Sequence, residues 1–166
     1  MPSESARMST AAEARFRINA PNSQPRAVKV IALDSASEAV VRKLADAKWN
    51  RASFLKASGF SAATASATDK WLSDMTGNGK KLTEEIDTAD LIVMIATAGE
   101  NAAAAEIISN ACRSKRVMTT ALIVGSESKS DQALAQTLAK LRPNALMVVI
   151  ASSDEYIEDM LTALRA

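Results

Sequence analysis

An unbroken apolar segment at residues 91–96 constrains the fold more than any other feature of the sequence. Its residues do not alternate between apolar and polar, which predicts a strand covered on both faces, as in a parallel sheet. A polar turn follows it, formed by Thr97, Gly99, Glu100 and Asn101. Open α/β sheets bind their ligands at this end of their strands. The segment therefore predicts both the centre of the sheet and the place where a ligand site would lie.

Further strands are predicted on both sides of this segment. The second strand in chain order is the least apolar, which favours a position near the edge of the sheet. Because predicted helices alternate with the strands, the pattern favours a doubly wound, three-layer α/β/α fold of the Rossmann or flavodoxin-like type. Its five-stranded parallel sheet is expected in the order 2-1-3-4-5. The other four predicted strands are 28–33, 51–58, 118–124 and 145–151.

Helix starts are predicted at short polar residues that follow the strands. Ser35 or Ser37 can cap the first helix, and Asn101 the helix after the central strand. Two further helical segments are predicted at 69–75 and 80–88, separated by a Gly-Asn-Gly turn.

Chain length and composition predict one ordered domain behind a tail. A chain of 166 residues is long enough for one hydrophobic core and short for two. Residues 1–26 are rich in Ser, Ala, Pro and Arg and contain no hydrophobic block. We therefore expect a flexible N-terminal tail at 1–26 and a single α/β domain at 27–166.

The charge balance and the apolar runs exclude several kinds of partner. With 20 Lys and Arg residues against 19 Asp and Glu residues, the net charge of +1 predicts no nucleic-acid partner and no anionic membrane surface. No apolar run approaches the roughly 20 residues that cross a bilayer, and the N-terminus lacks the apolar segment of a secretion signal. We therefore expect a cytoplasmic protein.

The residues needed for most catalytic and metal sites are missing. The chain contains no histidine, which excludes Ser-His and Cys-His nucleophiles and the usual zinc sites. Its one cysteine, Cys112, falls on the apolar face of a predicted helix and is expected to be a buried structural thiol. Neither Gly-x-x-x-x-Gly-Lys-Ser/Thr nor Gly-x-Gly-x-x-Gly occurs. We expect no catalytic residue, no metal and no cofactor.

Polar residues at the carboxyl ends of the predicted strands form the candidate ligand-binding site. These ends meet at one edge of a parallel sheet, so the residues are expected to converge. The acids among them, with Glu127 and Asp154, offer the oxygen ligands that Mg²⁺ takes, but each position also fits a helix cap or a first-turn acid. The candidates are Asp34, Ser35, Ser37, Thr97, Gly99, Glu100, Asn101, Gly125, Ser126 and Ser153.

Two stretches, 28–33 and 89–99, carry a family resemblance. The second is an Ala-Asp-apolar strand that ends in a Thr-Ala-Gly turn. Together they resemble the nucleotide-binding half of the tubulin/FtsZ family, which implies that family's fold over 27–166 and a GTP site at the strand ends. The family's glycine-rich phosphate turns are replaced here by 34–38 and 100–105, whose side chains include carboxylates. The resemblance therefore implies a degenerate relative that kept the scaffold and lost the nucleotide.

The region 90–126 is also similar to sugar-isomerase phosphosugar domains. That similarity implies phosphate binding by Thr97, Gly99 and Asn101 through amides at a helix N-terminus, which Glu100 opposes by its charge.

The sequence as a whole predicts a non-catalytic scaffold or regulatory protein that acts through self-association as a homo-oligomer or through a protein partner. The alternative is a small-molecule binding protein, for a nucleotide or a phosphosugar, with its site at the strand ends. A scaffold should have these turns closed by side chains and an apolar patch elsewhere on its surface. A binder should have an open cleft at the turns.

Overall fold

A seven-stranded sheet runs through the described part of the chain, with helices packed on both of its faces. The computed structural model describes residues 24–57, 59–61 and 71–166. The strands are β1 Val28–Ala32, β2 Ala52–Lys56, β3 Leu72–Asp74, β4 Gly79–Lys80, β5 Leu91–Thr97, β6 Met118–Val124 and β7 Met147–Ile150. The helices are α1 Ser35–Ala45, α2 Leu82–Asp87, α3 Ala104–Lys115, α4 Asp131–Leu141 and α5 Asp154–Ala163.

The strand order is β4-β3-β2-β1-β5-β6-β7. Each pairing from β2 to β7 in this order is parallel, whereas β3 pairs antiparallel with both β2 and β4. The α/β class is confirmed. The predicted five-stranded sheet in the order 2-1-3-4-5 is not matched, because β3 and β4 extend the sheet beyond β2. Strand β2, predicted to lie near the edge of the sheet, is separated from that edge by the short strands β3 and β4.

The central strand β5 is buried because each of its faces belongs to a different hydrophobic core. Ile92 and Met94 pack in one core with residues of α2, α3 and α4. Val93 and Ile95 pack in the other core with residues of α1 and α5. Covering on both faces requires an apolar residue at every position, so the unbroken apolar run is explained by its place in the sheet.

The segment predicted as a helix at 69–75 instead supplies β3 to a hairpin with β4; its first two residues lie outside the described residues. Asp74 organises the turn. Its carboxylate accepts hydrogen bonds from the amide and hydroxyl of Thr76, at 2.9 and 2.6 Å, and from the amide of Asn78, at 2.9 Å. The chain reverses here, so the helical prediction is wrong. The prediction at 80–88 is right in part, because α2 lies within it.

Two helix starts differ from the predictions. Asp34, and neither Ser35 nor Ser37, is the N-cap of α1, because its carboxylate reaches the amide of Ser37. Helix α3 begins at Ala104, three residues after the predicted cap Asn101. Asp34 thereby becomes part of the helix start instead of a free carboxylate at the strand ends.

The predicted tail lies mostly outside the described residues. Residues 24–26 are described, and the amide of Arg26 donates to the carbonyl of Arg165, at 2.8 Å, just after α5. The division into a tail at 1–26 and a domain at 27–166 stays a prediction. In the described ranges, no helix combines the length and the apolar character that crossing a bilayer requires.

Candidate functional site

Asp34 joins the ends of the two neighbouring strands β1 and β5. Its Oδ1 accepts a hydrogen bond from the amide of Ser37, and its Oδ2 accepts one from the amide of Thr97, both at 2.8 Å. The residue is only 8% exposed. Hydrogen bonds from backbone amides to a carboxylate are among the stronger ones in proteins. Both carboxylate oxygens therefore already hold the protein's own backbone at the point where a ligand was expected.

The serines beside Asp34 complete the helix start. Ser37 is fully buried. Its hydroxyl oxygen accepts from the amide of Asp34 at 3.3 Å, and together with the bond from the Ser37 amide to the Asp34 carboxylate this forms a reciprocal capping box. The same hydroxyl donates to the carbonyl of Asp34 at 2.9 Å. Ser35 is exposed on the first turn of α1. Of the three candidates at this turn, Asp34 and Ser37 have structural roles and Ser35 faces solvent.

The turn after β5 is closed by contacts with α4 and with itself. Gly99 adopts a φ of +83°, and its amide donates to the hydroxyl of Thr137 at 2.9 Å. A side chain at Gly99 would place its Cβ 3.1 Å from the Cβ of Ala133. The amide of Glu100 donates to the carbonyl of Thr97 at 3.0 Å. A phosphate at this turn would need these amides as donors, and they are bound within the protein.

The polar residues just before α3 also form contacts within the protein. Asn101 is exposed, and its side-chain oxygen accepts from the amide of Ala103 at 3.0 Å. Glu100 lies 3.7 Å from the ammonium group of Lys129, which holds its carboxylate toward the loop after β6. Neither residue is placed as a ligand for an anion.

The remaining candidates lie in separate turns. Gly125 has a φ of +69° and begins the short 3₁₀ turn Ser126–Ser128 after β6. Ser153 is the N-cap of α5, and its hydroxyl oxygen accepts from the amide of Tyr156 at 3.4 Å. The hydrogen bonds thus bring together Asp34, Ser37 and Thr97, while Gly125, Ser126 and Ser153 serve turns of their own.

A small cleft lies where the β1 and β5 turns face each other. Its volume is about 200 Å³, below the roughly 300–1,000 Å³ of ordinary ligand pockets. The lining includes the acids Asp34 and Glu100, which disfavour a phosphate. The full lining is Leu33, Asp34, Ser35, Ala57, Phe60, Glu100, Asn101 and Ala104.

Acidic residues and the cysteine add no further chemistry at this edge. Within the described ranges, no group of three or more His, Cys, Asp or Glu side chains is arranged to hold a metal ion. Asp154 forms an ion pair with Lys43 at 3.0 Å. Cys112 is buried, as predicted, and burial raises the pKa of its thiol to about 12, so the reactive thiolate is suppressed at neutral pH.

The Thr97 hydroxyl is a further polar group at this turn. Its oxygen is buried and has no hydrogen-bond partner among the described residues. Its methyl group lies 3.4 Å from the position a Cβ would take on Gly125. The Thr97 side chain therefore lies beside the turn that follows β6.

An exposed apolar surface lies along β7, the last strand in the order of the sheet, and was not predicted from the sequence. We call it the β7 edge; it consists of Leu146, 79% exposed, with Met118, Met147 and Ile150, which are 47%, 42% and 44% exposed. The sequence signal was present as the apolar run 145–151. A run of this kind predicts a strand, but it does not say whether a neighbour covers the strand's outer side.

Comparison with known proteins assigns no family to the chain. No protein-family model matches it, and a search of curated proteins finds no match to it either. The tubulin-like and phosphosugar-binding resemblances therefore stay predictions from the sequence.

Proposed function

We propose that this chain is a non-catalytic, Rossmann-like scaffold or regulatory domain that acts through self-association or through a protein partner. One observation carries the proposal. The edge of the sheet where β1 and β5 end, which we call the strand-end edge, is closed by hydrogen bonds within the protein, while an apolar surface stays exposed at the β7 edge. Exposed apolar patches on water-soluble domains commonly mark sites of protein contact.

The closure of the strand-end edge argues against the small-molecule alternative. The amides of Thr97 and Gly99 donate to Asp34 and Thr137. A nucleotide or phosphosugar would have to break these bonds and approach the carboxylates of Asp34 and Glu100. Both effects raise the free energy of binding, because a buried amide that loses its acceptor costs about 1–3 kcal/mol.

The β7 edge has the character expected of a contact surface. Its exposed side chains are large and apolar, and such residues are enriched in the centres of protein interfaces. Fully burying one such side chain stabilises a complex by about 1.5–3 kcal/mol. Several such side chains lie along this edge, so their contributions to association add.

A ligand screen combined with a mass measurement tests the proposal. The full chain is heated with GTP, ATP, NAD, sugar phosphates or Mg²⁺, and its mass is determined separately by light scattering. A ligand at 100 times its dissociation constant adds about 2.7 kcal/mol of stability, which raises the melting temperature by several degrees. We expect no shift with these ligands, together with a mass of two chains or a complex with another protein.

A ligand that raises the melting temperature would contradict the proposal. A thermal shift that Gly99→Val abolishes, with the circular dichroism spectrum retained, would place a ligand site at the turn after β5 and overturn the scaffold proposal. Gly79→Val is the matched control, because a Cβ at Gly79 meets nothing within 4 Å.

A further inference from the structure

We propose that a groove beside α3 binds an acidic segment of a partner protein, with a large apolar side chain next to its acids. The inference rests on the proposed function and deepens it, because it names the chemistry of the partner. The groove consists of two adjoining pockets of about 540 and about 270 Å³, between α3 and the 3₁₀ turn Arg142–Asn144 that follows α4. We call it the α3 groove. Its larger pocket is within the roughly 300–1,000 Å³ of ordinary binding pockets.

Arg113 lies where the two pockets meet, because it lines both of them together with Pro143 and Asn144. Its guanidinium donates to the carbonyl of Pro143 and to the side-chain oxygen of Asn110, the latter at 3.3 Å. A guanidinium has five N–H donors, so these two bonds hold the group in place and leave donors for a further acceptor. A carboxylate fits such a group, since it accepts two parallel hydrogen bonds from one guanidinium.

Two further cations line the α3 groove, Lys140 in the larger pocket and Arg116 in the smaller one. Within the described ranges, none of the three cations of the groove forms an ion pair. Lys115, in the same turn of α3 but outside the lining, is paired with Asp87 at 2.8 Å. The described lining thus carries three positive charges and one negative charge, that of Glu106. Charge complementarity therefore favours an acidic partner.

The backbone at Arg116 is better suited to glycine than to arginine. Arg116 ends α3 in the left-handed conformation, with a φ of +59°. Glycine usually takes this position after a helix, because a Cβ is strained there. The arginine instead places an exposed positive charge in the smaller pocket.

The smaller pocket also has an apolar wall, which argues for a peptide over a nucleic acid. Met118 and Leu146, which are 47% and 79% exposed, line it together with Arg116. Single-stranded nucleic acids stack their bases on aromatic side chains, and none of the described residues that line the smaller pocket is aromatic. A peptide with an apolar residue beside its acids uses both parts of the lining. Clusters of arginine are a common means of binding acidic peptide motifs.

The length of the α3 groove sets the length of the segment. An α-helix rises about 1.5 Å per residue, so Glu106 and Arg116 are about 15 Å apart along α3. An extended peptide covers that distance with about five residues. Because the negative charge lies toward the start of α3 and the arginines lie toward its end, the acids of the segment should bind at the end nearer β7.

Selection of peptides by the full chain tests the proposal. A phage library of random octapeptides is enriched on the protein, and the enriched peptides are synthesised and measured by fluorescence polarisation. We expect them to carry Asp or Glu beside a large apolar residue. Arg113→Gln should raise their dissociation constant by about tenfold, because charge-assisted hydrogen bonds are lost. Arg42→Gln is the matched control and should change nothing, since Arg42 is an exposed arginine in the last turn of α1, on the other face of the sheet.

Two further variants separate binding from folding. Arg116→Gly should raise the dissociation constant of the same peptides while the melting temperature stays the same or rises, because glycine suits the backbone there. Leu146→Ser should weaken the peptides that carry the apolar residue and leave the circular dichroism spectrum unchanged, because this side chain is 79% exposed.

The outcomes separate this inference from the proposed function. Acidic-apolar peptides that lose affinity with Arg113→Gln and Arg116→Gly, but keep it with Arg42→Gln, support the inference. A library that yields no enriched peptide overturns it, and so do peptides that bind all of these variants equally. Binding of an oligothymidylate that Arg113→Gln abolishes also overturns it, in favour of a nucleic acid. The proposed function itself fails only in the ligand screen, through a thermal shift that Gly99→Val abolishes.

Discussion

Replacing Asp34 with alanine tests whether the strand-end edge is a structural closure. We expect Asp34→Ala to lower the free energy of unfolding by about 3 kcal/mol, as the sum of two losses. Removing the N-cap of α1 costs about 0.5–2 kcal/mol. The amide of Thr97, which donates to Asp34 at 2.8 Å, also loses its acceptor in a part-buried place, which costs about 1–3 kcal/mol.

Two companion variants separate these losses. Asp34→Asn keeps one oxygen that can cap the amide of Ser37, but its NH₂ group then faces the amide of Thr97, so we expect a loss of about 1–3 kcal/mol. Ser35→Ala alters an exposed neighbour and should stay within about 0.5 kcal/mol of the wild type. Urea denaturation followed by circular dichroism measures all three, and an unchanged slope with urea shows that the unfolded state is comparable.

The ordering of the variants decides the outcome. If Asp34→Ala loses less than about 0.5 kcal/mol, the two hydrogen bonds do not close the edge, and the reasoning from geometry is wrong. If it gains stability, Asp34 is a strained group of the kind that proteins keep for binding a ligand, and the small-molecule alternative becomes the better hypothesis.

Other predictions follow from single groups of the structure. Gly99→Ala should cost about 1–3 kcal/mol, because its positive φ strains a side chain that also meets α4, whereas Gly79→Ala should stay within about 0.5 kcal/mol; urea denaturation compares them. Cys112 should react with a thiol reagent at pH 8 far more slowly in the native protein than in urea, and comparable rates would contradict its burial. The hydroxyl of Thr76 and the amides around it hold the pKa of Asp74 below its ordinary value. Its contribution to stability is therefore present above that ordinary value and is lost as the pH falls below it. The stability difference between the wild type and Asp74→Asn should accordingly shrink from about pH 5 toward about pH 2 in urea titrations. Thr97→Val should be neutral or stabilising by up to about 1 kcal/mol, and a loss greater than that would mean that the buried hydroxyl has a partner.

The strands of the sheet interior could be predicted from the sequence because burial on both faces leaves a strong pattern. β5 is apolar at every position but its last and β6 at five of its seven positions, and the predicted range 118–124 coincides with β6. The β3–β4 hairpin could not be predicted this way. It depends on hydrogen bonds that the carboxylate of Asp74 accepts from the backbone amides of Thr76 and Asn78, which a count of apolar spacing does not include.

The candidate site shows a different limit of sequence reasoning. The residues that bind anions at strand ends are also those that cap helices and form tight turns, so their identity does not distinguish the two roles. The distinction lies in where each amide is directed. The amide of Thr97 donates to a residue 63 positions away in the chain, Asp34. No local pattern around either residue predicts that contact.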